Sequence, residues 1–161
     1  MSRKLGNELP ATLLSLLDGN DLPARMGKAI LITTVDAQGW AHPALLSYGE
    51  VVAIDARRLR LATYGGSRTS SNLRRSGRLT MCVIEAGMAY YVKTRALEQQ
   101  ASPKLPGLAR FEATVEHVLE DQAREDLEPD ARITRGIEFN DRRPASEMLA
   151  DWAAVLKALR E

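Results

Sequence analysis

The chain has 161 residues, with 22 Lys and Arg against 21 Asp and Glu and a net charge of +1. That length suits one domain with a substantial core, and the near-neutral balance argues against a general nucleic-acid binder, which needs a broad basic surface. No apolar run approaches the roughly 20 residues of a membrane span, and a lone cysteine, Cys82, forbids an intrachain disulfide and suits the cytoplasm.

The opening MSRKLGNELPATLLSLL has a basic start and an apolar patch, but Glu8 and Pro10 interrupt it and no small-residue cleavage site follows. It reads as an N-terminal helix and not as a signal peptide. Leu13, Leu14, Leu16 and Leu17 give that helix an apolar side, and Gly19-Asn20 stops it. Ala29 to Val35 is β-branched and strand-like, with a tight turn at Asp36-Ala37-Gln38-Gly39. Trp40 to Ile54 reads as one second strand, bent near Ser47-Tyr48-Gly49. Leu59 to Tyr64 is the third strand. A short helix follows, then strands Leu79 to Ile84 and Met88 to Ala96 around a Glu85-Ala86-Gly87 turn.

Leu97 to Gly107 is polar, carries Pro103 and Pro106, and reads as a loop. In Leu108 to Leu119, Phe111, Ala113, Val115, His117 and Leu119 alternate with Arg110, Glu112, Thr114 and Glu116, as in a strand with one wet face. Asp121 to Asp130 reads as an acidic helical connection and Ile133 to Phe139 as a weak strand. From Pro144 to Arg160, Met148, Leu149, Trp152, Val155, Leu156 and Leu159 recur at helical spacing. Short strands joined by hairpins, with one helix between the third and fourth, predict a mainly β fold with flanking helices, a small antiparallel barrel. The links are too short for the crossover helices of a parallel sheet.

The chemistry is concentrated in Leu59 to Val83, LRLATYGGSRTSSNLRRSGRLTMCV. Seven arginines and no acid lie between Arg57 and Arg78. Glycines beside a helix start, with hydroxyls and a guanidinium at hand, are what a phosphate dianion needs: amide N–H groups and the helix dipole point at it. An ordinary helix cap explains Ser67-Arg68-Thr69 equally well from local sequence alone. Arg74, Arg75 and Arg78 read as a solvated helix end. His42 and His117 are the only histidines, and with no second ligand at helical spacing and no cysteine pair they do not make a metal site.

The segments AILITTVDAQGWAHPALLSYGE, LRLATYGGSRTSSNLRRSGRLTMCV and AYYVKTRA resemble the FMN-binding split β-barrel flavoproteins related to pyridoxamine 5′-phosphate oxidase. The likeness spans Ala29 to Ala96, under half of the chain, and lies in the order of its motifs. It implies a homodimer with two FMN molecules at the subunit interface. It also implies that the phosphate is held by Thr63, Tyr64, Ser67, Arg68 and Thr69, and that the ring lies along Ala44, Leu45, Leu46 and Ser47. Asn72 joins the set, with a structural bond to the loop as its competing role. Two departures stand out: Thr69 replaces the family's phosphate-binding lysine, and the C-terminal Arg-x-His signature of the true oxidase is absent, Asn140-Asp141-Arg142-Arg143 offering no histidine. The second departure argues against pyridoxamine phosphate as substrate. The expected function is therefore an FMN-dependent oxidoreductase acting on a small molecule. An enzyme using F420 or haem on the same scaffold, and a non-enzymatic flavin binder, remain as alternatives.

Overall fold

The computed structural model describes residues 2–124 and 126–161. Among the described residues the strands are β1 (Arg3–Gly6), β2 (Lys28–Val35), β3 (Ala41–Ser47), β4 (Val51–Asp55), β5 (Arg58–Tyr64), β6 (Arg78–Glu85), β7 (Met88–Glu98), β8 (Leu108–Asp121) and β9 (Ile137–Glu138). The helices are α1 (Ala11–Leu17), α2 (Leu22–Arg25), α3 (Arg68–Ser76) and α4 (Ala145–Arg160). The strands form one antiparallel sheet in the order β3-β2-β6-β7-β8-β5-β4, with β1 added to β8 and β9 to β2.

The region expected as a single bent strand from Trp40 to Ile54 is two strands, and the break closes the barrel. β3 pairs with β2 and β4 pairs with β5, at opposite ends of the sheet order. Only residues 48–50 separate them, so the sheet curls until its two ends approach. Glu50 fixes the corner: its Oε2 accepts the Ser47 backbone N–H at 2.7 Å and the Ser47 hydroxyl at 2.9 Å. The result is a split antiparallel barrel flanked by helices. β2 and β6, apolar on both faces, lie inside the sheet order.

Inward side chains Ile30, Ile32, Leu59, Leu61, Met81, Val92 and Phe111 fill the core, and Leu13 and Leu17 of α1 close it on one side. Met148 and Trp152 of α4 join the same cluster, while Leu156 and Leu159 pack with Val52 and Ala62.

Three expectations are corrected. Alternation along β8 breaks at Glu116, which bulges out of register between Val115, opposite Thr94, and His117, opposite Lys93. Beyond the bulge the faces swap, so His117 is exposed and Val118 is buried. The acidic stretch after Asp121 is a series of turns and not a helix; Glu125 lies outside the described residues. It offers almost no apolar side to bury, and a short polar helix without packing is marginal. Finally, the Ile133–Phe139 strand shrinks to the two residues of β9. β1 and α2 carried too little pattern to be read in advance.

Candidate functional site

β5 ends in Thr63 and Tyr64, and after Gly65-Gly66 the chain turns into α3. Ser67 caps that helix: its backbone is extended, with φ −74° and ψ 158°, and its hydroxyl accepts the Ser70 N–H at 3.1 Å. The other end stops at Gly77, whose φ of 63° is left-handed and whose N–H reaches Leu73 O at 2.8 Å. Below the cap lies a hydroxyl network. The Ser70 hydroxyl donates to Tyr64 O at 2.6 Å and meets Thr63 Oγ1 at 2.6 Å. Asn72, 7% exposed, donates its amide to Thr34 Oγ1 at 3.0 Å and so ties α3 to β2.

This network sorts the expected phosphate ligands. The hydroxyl of Thr63 and the side chain of Asn72 face inward and are already bonded, and the side chain of Thr69 is buried. An α-helix leaves the backbone N–H groups of its first turn without intrahelical partners; those of Arg68 and Thr69 have no hydrogen-bond partner among the described residues, and the Arg68 side chain is exposed. Among the described residues Arg68 has no ion-pair or hydrogen-bond partner for its guanidinium. The other arginines of α3 are engaged: Arg74 grips Glu98 at 2.6 and 2.8 Å and holds it below the usual carboxylate range, while Arg75 donates to Val35 O. Both are exposed, as read from sequence, and they also tie α3 to β7 and β2.

β3 carries the other expected set. It is paired on one side only, so part of its backbone lacks a strand partner. Leu46 points into the core and Leu45, 53% exposed, points out. The Ser47 N–H and hydroxyl are taken by Glu50. Leu45, Leu46 and Ser47 share one cavity of about 470 Å³ with Tyr64; Ser67, Arg68, Thr69 and Asn72 are not among its lining residues.

The rest of that cavity escaped the sequence. Its floor is Phe139, Met148, Trp152 and Val155, and its rim holds Glu50, Asp141, Arg143 and Asp151. Arg143 is clamped, donating Nη1 to Asp151 at 2.9 Å and Nη2 to Asp141 at 2.7 Å. Hydrogen bonds from the Arg143 side chain and backbone hold the Asp141 carboxyl below its ordinary value. The spacing of Met148, Trp152 and Val155 marks one helix face; nothing in it says that the face borders a cavity.

A row of outward side chains crosses five strands in register: Leu45, Leu31, Cys82, Tyr91 and Leu119. Burial pushes the Cys82 thiol up, and burial with the nearby Asp121 charge does the same to Tyr91. Among the described residues no helix is long and apolar enough to cross a membrane, and no three His, Cys, Asp or Glu side chains gather into a possible metal site.

The curled antiparallel sheet with a helix between β5 and β6 defines a split β-barrel. The family model of pyridoxamine 5′-phosphate oxidase matches residues 25–155. The chain belongs to that family. It is 32% identical over 152 residues to the uncharacterized protein YclD of Bacillus subtilis (strain 168), across 92% of this chain and 93% of that protein. Among solved structures, HupZ of Group A Streptococcus superposes with a TM-score of 0.55 at 12% identity, covering 82% of this chain and 99% of that one. An FMN-binding protein from Syntrophomonas wolfei gives a TM-score of 0.51 at 16% identity, covering 70% and 89%. At these identities the two structures establish the fold.

Proposed function

We propose that this chain is a homodimeric FMN-binding protein that acts as a flavin-dependent oxidoreductase on a small molecule. The observation that carries the reading is the first turn of α3, next to the end of β5: two N–H donors and an Arg68 side chain that have no partner among the described residues, at a positive helix end. A phosphate monoester fits that set, since backbone donors and a guanidinium together neutralise a dianion. Membership of the oxidase family and the likeness to an FMN-binding protein support the choice of ligand.

The residues divide the work. Arg68 and the N–H groups of Arg68 and Thr69 hold the phosphate, while Thr63, Ser70 and Asn72 keep the turn rigid from below. Free backbone groups of β3 between Ala44 and Leu46 meet the polar edge of the ring. Glu50 locks the end of that strand through Ser47. FMN when bound supplies the electron-carrying chemistry; the protein orients it, tunes its potential by hydrogen bonds and excludes water.

The outward row Leu45, Leu31, Cys82, Tyr91 and Leu119 is the proposed dimer face. Such a contiguous apolar band suits a permanent subunit contact. The test is a titration of the purified protein with FMN and with riboflavin, alongside an absorption spectrum and mass spectrometry of any ligand released on denaturation. FMN binding well above riboflavin supports the reading. A haem or F420 spectrum, or equal affinity for both flavins, overturns it.

A further inference from the structure

The cavity floored by α4 is about 470 Å³, within the range of small-molecule sites. Its floor is aromatic and apolar. Trp152, 6% exposed, is seated against Gly49, where any Cβ would strike the indole. Its polar rim sets three carboxylates, Glu50, Asp141 and Asp151, against the single guanidinium of Arg143. Arg143 is already paired on two sides with Asp141 and Asp151, which offset its charge. Glu50 spends one oxygen on Ser47, and among the described residues no cation pairs with it.

We propose that this cavity is a substrate pocket selective for a planar, apolar molecule carrying a positive charge. The proposal rests on the flavin reading above, in which the ring lies on Leu45, Leu46 and Ser47 and so borders the same cavity. The apolar floor, with half-buried Phe139 beside Met148 and Val155, seats a flat apolar molecule. The surplus of two negative charges stabilises that cation and repels a phosphate or carboxylate. A phosphorylated substrate is thereby disfavoured, in keeping with the missing Arg-x-His motif.

The experiment uses three bicyclic probes of similar size and different charge, N-methylquinolinium, quinoline and 2-naphthoate. Each is titrated by calorimetry into the full chain, without FMN and with FMN present. The expected order is cation, neutral, anion, with N-methylquinolinium binding on the order of tenfold or more tighter than 2-naphthoate. Glu50→Gln keeps the acceptor for Ser47 but removes the charge, and narrows the gap severalfold; Asp151→Asn narrows it from the other side of the rim. Equal affinities, an anion preference, or a gap untouched by both variants would overturn the proposal. Displacement of the probe by FMN would assign the cavity to the flavin and also overturn it. If FMN fails to bind while the charge order holds, the flavin reading falls and the pocket's ligand class is supported.

Discussion

Arg68 and Asn72 lie four residues apart on α3 and do opposite things. Arg68 is exposed with nothing among the described residues to pair with, whereas Asn72 is buried and bonded to Thr34. A charge-assisted hydrogen bond to a partly desolvated phosphate contributes about 1.5–3 kcal/mol. Arg68→Ala is therefore expected to weaken FMN binding roughly 10- to 150-fold, with riboflavin affinity and melting temperature nearly unchanged. Equal losses for both flavins would move Arg68 off the phosphate. Asn72→Ala has the converse signature. It strips a buried hydroxyl of its donor, so stability falls by about 1–3 kcal/mol in denaturant melts; a variant as stable as the parent would mean that the α3–β2 tie is idle. The sequence distinguishes these two residues poorly, because type and spacing place both on a polar helix. Burial separates them, and burial depends on β2, thirty-odd positions away.

At the scale of elements, α4 packs on β4 and β5 and floors the cavity. Its apolar face was legible because Met148, Trp152, Leu156 and Leu159 follow helical spacing, and all four are buried. Trp152→Ala should cost about 3–5 kcal/mol, read as a lowered denaturation midpoint. Gly49→Ala tests the same contact from the other side, since its Cβ collides with the indole, and a loss of about 1–3 kcal/mol is expected from overpacking. If both variants melt like the parent, α4 is loosely attached. Elements that depend on long-range pairing were the ones misread. The turn between β3 and β4 is a local kink in sequence but a passage between opposite sheet ends in space. The extra residue at Glu116 in β8 is invisible until its partner strand is in place. The acidic stretch had helix-compatible residues without the apolar side that would stabilise a helix.

For the whole molecule, a small antiparallel barrel was readable from short strands joined by hairpins, whereas the non-consecutive pairings β2–β6 and β5–β8 were not, and the barrel closes because β3 and β4 stand at opposite ends of one sheet. The cavity was not readable, since its walls come from β3, β5, residues 139–143 and α4, and only folding brings them together. The outward row from Leu45 to Leu119 was invisible for the same reason: its members are scattered over nearly ninety residues and align only through strand register.

Sedimentation velocity of the FMN-titrated protein, recorded at the flavin absorbance, tests the central claim of a flavin held by a dimer. The flavin signal should travel with the dimer, and Arg68→Ala should return most of it to the slow, unbound fraction while the protein stays dimeric. A flavin-bearing monomer, or a dimer that sediments without flavin at saturating FMN, would contradict the account.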